Sequence, residues 1–429
     1  MNKDHGCQLL WAWALCVFLE AACFAAAVPA APVLPGDCNV DDSVTVDEVI
    51  QLVRIGLGEA ELRDCPAGDG NRDGVVTIEE IVAAVQELLT APALPPVAFV
   101  TATDFQTGGF ALVDAEPPFA VQPTTPARRL GADPVARVFG RRVYVVNRFG
   151  SDNLQVLDAA GGFRSVVQCS TGNGSNPQDI AFRTGVVAYM PLLARPWVLK
   201  VNPHPASDCS DFVLGQIDLR AFVDADGSPE ANQAAVVGER LFVTLERLEN
   251  FSPVRNGTLV VVDTRTDEVT GAVELSAPNP FGMTKGLTVR GDSLYVSLVG
   301  QFGVADGGIE AVNLETLRAS GLLLNEEELG GDVTDFVLVD EDLGYAIISR
   351  PDFATSLVRF SLRRRQVETI VPASDGLSDI EASNRGYLFL TDRNLHRPGV
   401  RVFRTFDGVE LTPAPLFTGL PPFDLVFLQ

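Results

Sequence analysis

Residues 98–429 repeat one short pattern seven times, and the last copy is out of phase. The copies read AFVTATDFQTGGFALVD from Ala98, RRVYVVNRFGSDNLQVLD from Arg141 and GVVAYMPLLARPWVLKVN from Gly185. They continue as ERLFVTLERLENF with GTLVVVD from Glu239, and DSLYVSLVGQFGVADGGIEAVN from Asp292. DLGYAIISRPDFATSLVRFS from Asp342 and NRGYLFLTDRNLHRPGVRVFR from Asn384 complete the set. Each places an aromatic at one position: Phe99, Tyr144, Tyr189, Phe242, Tyr295, Tyr345 and Tyr387, spaced 42 to 53 residues apart. That period is the length of a four-stranded sheet, and short β runs broken by Gly, Asp, Asn and Pro turns fit it. A second element precedes most copies: DPVARVF, NPQDIAF, GDVTDFVLV and GLSDIEAS, with SPEANQAAVV and PFGMTKGLTV as looser versions. The first copy has no such element before it. The final one, PPFDLVFLQ, ends the chain with no copy after it. Both loose ends are resolved if the C-terminal strand completes the first sheet. The expected fold is therefore mainly β, a seven-bladed β-propeller over 98–429 whose closure removes free sheet edges.

Two acidic loops lie upstream. GDCNVDDSVTVDE ends at Glu48, and AGDGNRDGVVTIEE ends at Glu80. In the second, Asp69, Asn71, Asp73, Val75 and Glu80 take positions 1, 3, 5, 7 and 12 of an EF-hand-type loop, with Gly74 at the turn and Thr77 at position 9. Calcium takes six to eight oxygen ligands, and this spacing wraps them around one ion. Asp37, Asn39, Asp41, Ser43 and Glu48 repeat the pattern, with Thr45 at position 9. Here Asp42 stands where glycine is expected, and Asp tolerates a left-handed backbone at some cost. Calcium is the expected cofactor.

Each loop leads into a helix-period segment. VDEVIQLVRIGLG is expected to bury Val49, Ile50, Leu52, Val53 and Leu57, and IEEIVAAVQELL to bury Ile81, Val82, Val85, Leu88 and Leu89. No helix precedes either loop. Two loop–helix repeats over 35–90 resemble a dockerin, although Glu replaces the usual Asp at position 12. The resemblance implies a cohesin-like protein partner that contacts loop positions 10 and 11, here Val46–Asp47 and Ile78–Glu79. The competing reading is a calcium-stapled cap. Residues 91–97, in APALPPVA, read as a Pro/Ala linker.

The N-terminus reads as an export signal over 1–30. Lys3 is followed by the apolar run LLWAWALCVFL and by small residues suited to cleavage near Ala27 or Ala30. The run is too short to span a bilayer, and Glu20 interrupts its extension. Retention as an anchor, or lipidation at Cys23, is the weaker alternative. The expected location is secreted, periplasmic or cell-surface. Export leaves Cys38, Cys65, Cys169 and Cys209, an even number that suggests disulfides. Of three pairings, neighbourhood favours Cys38–Cys65 and Cys169–Cys209. The first would stabilise a small module by about 3–4 kcal/mol in the chain-entropy model.

With 56 Asp+Glu against 32 Lys+Arg, the net charge of -24 excludes the basic footprint of a nucleic-acid binder. Catalytic signals are scarce. The mature histidines are His204, in the turn-like NPHPASDC, and His396, in the loop RNLHRP; both read as surface residues. No nucleophile elbow, metalloprotease or C-x-x-C motif occurs. NGSNP and VADGG lack the strand–glycine–helix setting of a phosphate cradle. Aligning the inner elements brings Asp179, Asn232, Lys285, Asp335, Asp379 and Asp424 to comparable places, so they are the candidate channel residues. Carboxylates gathered there would bind a cation or shift one another's pKa. Alternatively, each would cap a turn or bond to the neighbouring blade.

YVVN at Tyr144–Asn147 is close to the signature of exported propellers with YVTN-type repeats, which the chain resembles over 98–429. Such propellers include lactonases, dehydrogenases and non-catalytic binders, and fold does not settle function. Gluconolactonases hold a divalent cation at the channel mouth, but their ligand motif has no residue-by-residue match here. A calcium-stabilised protein for binding or assembly is thus the expected function, with no catalytic residues assigned, and a lactonase-type hydrolase is the alternative.

Overall fold

In the computed structural model, which describes residues 34–428, the chain closes on itself. The final strand, Pro422–Phe427, pairs antiparallel with Val97–Thr103 and becomes the innermost strand of the first blade. Six further sheets follow around the ring, giving seven blades. Their innermost strands are Pro134–Phe139, Ala181–Thr184, Ala231–Val237, Leu287–Arg290, Asp332–Leu338 and Leu377–Ala382. In each blade the second strand is buried on both faces, as a continuous apolar run requires; VYVVN, LFVTL and YAIIS lie in such strands.

The repeated aromatic sits on that second strand. Phe99, Tyr144, Tyr189, Phe242 and Tyr345 are fully buried, while Tyr295 and Tyr387 are half-buried. Three tyrosine hydroxyls bond to the next blade. Tyr144 meets His204 Nε2 at 2.7 Å, Tyr189 donates to Thr264 O at 3.3 Å, and Tyr345 donates to Thr405 O at 2.8 Å. The aromatic repeat therefore supplies core volume and, through its polar end, blade-to-blade register. His204 corrects the surface reading: it stacks on Tyr144, half-buried, and burial with the Arg142 charge pushes its pKa down to about 4. His396 is exposed.

The seventh blade departs from the four-stranded expectation. Only three strands form, and the outer position is held by isolated bridges, Val400 to Leu416 and Phe403 to Glu410. Pro413 and Pro415 fall in that outer segment, and proline has no N–H to give a ladder.

Upstream, helix α1 (Val46–Gly56) and helix α2 (Ile78–Thr90) pack around Val44, Leu52, Cys65, Val76 and Ala84. The expected buried faces are too wide. Ile50, Val53, Leu57, Val82 and Leu89 are exposed, because two short helices meet along one narrow face. Val49, Ile81, Val85 and Leu88 are half-buried. Both disulfides form. Cys38–Cys65 staples the first loop to the start of the second, and Cys169–Cys209 joins the outer edges of blades 2 and 3. The export signal lies outside the described residues. No helix among those described is long and apolar enough to cross a membrane.

Deleting Pro421–Gln429 should strip Val97–Thr103 of its inner partner and expose a sheet edge. Size-exclusion chromatography should show aggregation. A monomeric deletion variant with an unchanged melting curve would contradict the strand assignment.

Candidate functional site

The inner strands bring the channel residues together. Asp179, Asp335, Asp379 and Asp424 are only 1–3% exposed. Each carboxylate accepts an amide hydrogen from the next blade's inner strand: Asp424 from Ala136 at 2.6 Å, Asp179 from Ala234 at 3.0 Å, Asp335 from Ile380 at 3.0 Å and Asp379 from Leu425 at 2.9 Å. Between blades 4 and 5 the same link is made by Gln233 Oε1, which accepts from Gly286 N at 3.4 Å. Gln233, rather than Asn232, therefore holds the equivalent place. The register shift between Ala231 and Ala234 displaces that alignment by one residue. Asn232 turns instead to Glu246, donating from Nδ2 to Oε1.

Two cations cross the channel. Arg137 Nε lies 2.8 Å from Asp179 and Nη1 3.9 Å from Asp424, while Nη2 donates to Thr284 O at 2.8 Å. Lys285 Nζ lies 2.7 Å from Glu381. Burial works against the Arg137 charge, but Asp179, Asp424, Asp379 and Glu381 outweigh it and raise its pKa. Glu381 likewise holds the Lys285 ammonium above its ordinary range. Burial, then the neighbouring Asp379 charge, raises Asp335; burial, then Asp424, raises Asp379. Burial lifts Asp424 to about 6 against the pull of Arg137. Thr284 Oγ1 donates to Asp379 at 2.5 Å and lies 3.5 Å from Asp335. Sequence alignment missed Arg137 and Glu381. Their signal was a charge beside the aligned position: Arg137 inside the apolar run of DPVARVF, and Glu381 two residues after Asp379 in GLSDIEAS.

At the end where inner strands begin, Arg148 and Arg393 share the Phe423 ring, 5.4 and 5.3 Å from its centroid. Arg148 pairs with Asp133 at 2.6 Å, and Arg393 donates to the carbonyls of Thr103, Pro421 and Pro422. Burial lowers Arg393 to about 10. Glu246, buried beside Asn232, is pushed up to about 8 by desolvation.

The same face carries a feature that no motif announced. The loop joining second and third strands presents an exposed apolar side chain in six of the seven blades: Phe105, Phe149, Phe251, Phe302, Phe353 and Leu395, 41–89% exposed. Phe105, Phe251 and Phe353 sit at left-handed turn positions that project them outward. These loops hold arginines, among them Arg148, Arg350 and Arg393, in numbers that nearly balance their acids. Within a strongly acidic chain these loops are nearly balanced in charge, and in five blades they are tipped with phenylalanine.

Both upstream loops adopt one hydrogen-bond pattern. Asp37 Oδ1 and Oδ2 accept the amides of Asp41 and Asp42, each at 3.0 Å; Asp69 accepts those of Asp73 at 3.0 Å and Gly74 at 2.8 Å. Ser43 N donates to Asp41 at 2.9 Å and Val75 N to Asp73 at 3.0 Å. Asn39 and Asn71 each donate to the position-5 carboxylate at 3.0 Å. Glu48 accepts from Thr45 N at 2.8 Å and Glu80 from Thr77 N at 2.9 Å. Asp37, Asp41, Glu48 and Asp69 are buried. Burial, with Asp41 and Glu48 as neighbours, lifts Asp37 to about 6. The carboxylates now face backbone amides, and no three acidic, His or Cys side chains among the described residues converge as a ready cation site.

No protein-family model and no curated protein matches the chain. Solved structures show the fold. A putative 6-phosphogluconolactonase from Bacteroides fragilis is 13% identical with a TM-score of 0.55, covering 78% of this chain and 98% of its own. One from Bacteroides uniformis is also 13% identical, with a TM-score of 0.54, covering 78% and 99%. AztD from Citrobacter koseri is 11% identical at a TM-score of 0.49, covering 79% and 99%. At these identities the likeness is one of propeller architecture.

A raised carboxyl pKa means the native state binds the Glu246 proton more tightly than the unfolded chain. Its stabilisation is present at low pH and is lost as pH rises from the unfolded value towards about 8. Glu246→Gln keeps an acceptor for Asn232. It should flatten the fall in stability between about pH 5 and 8, by at most about 1.4 kcal/mol per pH unit for one proton. Melting curves across that range check this; parallel profiles would contradict it.

Proposed function

We propose an exported calcium-binding protein in which a dockerin-like module, residues 35–90, is joined by the linker 91–97 to a non-catalytic propeller acting in ligand binding or assembly. The contrast between two carboxylate sets carries this reading. In the channel, Asp179 and Asp424 meet Arg137, and Glu381 meets Lys285. In the loops, no Arg or Lys among the described residues pairs with Asp37, Asp41, Glu48, Asp69, Asp73 or Glu80. Asp37, Asp41, Glu48 and Asp69 are buried and accept only from amides and hydroxyls, so a bound cation would supply the opposite charge that they lack. The ligands for calcium would be Asp37, Asn39, Asp41, Ser43 and Glu48, and Asp69, Asn71, Asp73, Val75 and Glu80. Calcium would supply the positive charge around which each loop closes. Val46 and Ile78 are exposed at position 10, available to a cohesin-like partner. We place the propeller's own contact surface on the face that carries these six exposed apolar side chains. Two disulfides accord with export to an oxidising compartment.

Titrating the mature protein with calcium by calorimetry should give two events, and Asp69→Ala should remove one. No heat, and no gain in melting temperature with calcium, would contradict the cofactor.

The second reading is a lactonase-type hydrolase. It is kept by Asp335 and Asp379, which lie close enough to share the Thr284 hydroxyl, since crowded carboxyls with raised pKa values cluster at functional sites. We expect no lactone hydrolysis with any divalent cation. Metal-dependent turnover lost in an Asp335→Asn, Asp379→Asn double variant would establish the enzyme instead.

A further inference from the structure

The two acidic loops share their internal hydrogen bonds but not their surroundings. Residues 70–74 of the second loop are exposed, and Gly74 makes the left-handed turn at φ 90°. In the first loop that turn falls on Asp42, at φ 66°, while position 4 is left-handed in both loops, at Val40 (φ 62°) and Arg72 (φ 61°). This strained segment is held by the propeller. Asn39 O accepts the Gly185 amide at 2.5 Å, and the Asp42 carboxylate pairs with Arg142 at 2.8 Å. A Cβ at Gly185 would lie 1.5 Å from Val40 O, and one at Gly140 2.1 Å from Asp41 O. Gly140 and Gly185 occupy the turns that follow the inner strands of blades 2 and 3. Backbone meets backbone at both points, an approach that only glycine permits.

We propose that Gly140, Arg142 and Gly185 are positioning residues for the first calcium loop, so that calcium binding there and docking of residues 39–42 on blades 2 and 3 form one linked equilibrium. The proposal rests on the calcium reading above. What Gly74 does within the second loop, the propeller does for the first: it holds the backbone in the turn that brings positions 1, 3 and 5 around an ion. A ligand site held in its binding conformation has less order to impose on binding. Linkage is reciprocal, so calcium must tighten the dock by the factor by which the dock tightens calcium. Asp42 at position 6 is then no defect of the motif. It trades glycine's freedom for an ion pair with the propeller.

Gly185→Ala is the cleaner probe. Gly185 lies outside the left-handed region, so alanine there meets only the Val40–Asp41 backbone and adds no backbone strain of its own. Arg142→Ala is less informative, because it also frees the Asp42 charge beside the site. Calorimetry with calcium alone uses the mature chain in two backgrounds: Asp69→Ala, which leaves the first loop, and Asp37→Ala, which leaves the second. Gly185→Ala should weaken calcium roughly tenfold or more in the first background. In the second it should change affinity by less than about twofold. Unchanged affinity at the first loop, in a protein with an intact melting transition, overturns the linkage and leaves the calcium reading standing. No binding in either background overturns both. If Gly185→Ala does not fold, hydrogen exchange on the Asp69→Ala chain decides. Saturating calcium should slow the Gly185 amide several-fold, and an unchanged rate overturns the proposal.

Discussion

The pairing of the last strand with the first is the constraint on which the molecule depends. Until Pro422–Phe427 lies against Val97–Thr103, Asp424 cannot reach Ala136, and Asp379 has no Leu425 amide to accept. Two of the inter-blade bonds that line the channel thus exist only in the closed ring. Closure also fixes one sense for every inner strand, and so gathers the loops between second and third strands onto one face. The phenylalanine tips, the Arg148 and Arg393 pair on Phe423 and the mouth carboxyl of Glu246 are all consequences of that order. Contacts of such long sequence separation are slow to form, since loop closure precedes their reward.

Charge is handled differently in the two halves. The channel concentrates carboxylates in a buried place, where an unpaired ion would be costly. It answers with amides from adjacent blades, with Arg137 and Lys285 across the opening, and with raised pKa values at Asp335 and Asp379. Two cations face five carboxylates there, and the excess falls on Asp335 and Asp379, which have no basic partner and whose pKa values are raised. The upstream loops gather carboxylates just as closely but recruit no basic side chain to them. Arg142 approaches and takes Asp42, the loop residue that is not a ligand in the calcium pattern. Both sets accept backbone amides; the channel adds two cations to its acids, and the loops add none to theirs.

Much of the architecture was legible because repetition is a strong signal. Seven aromatics at one period and an orphan strand at each end determine ring and closure together. The cysteine pairs followed from neighbourhood. Charges acting across the ring were not legible. Arg137 serves Asp179 and Asp424 from strands distant in sequence, and no local pattern shows that. Repeat alignment selects Asn232 in place of Gln233, because a bulge shifts the register by one residue, which sends a side chain to the other face. The seventh blade lost its outer strand to Pro413 and Pro415, a local rule that the repeat had masked. His204 looked like a turn residue, and only the fold brings it onto Tyr144. On α1 and α2 the apolar stripe is wider than the partner face, so periodicity overstated what is buried.

Cations are expected in the upstream loops and not in the channel. Crystals of the mature protein soaked in calcium, with anomalous differences collected at long wavelength, test it directly. The prediction is density inside the loops ending at Glu48 and Glu80 and none between Arg137 and Lys285. A peak among Asp335, Asp379 and Asp424, with the two loops empty, would contradict it.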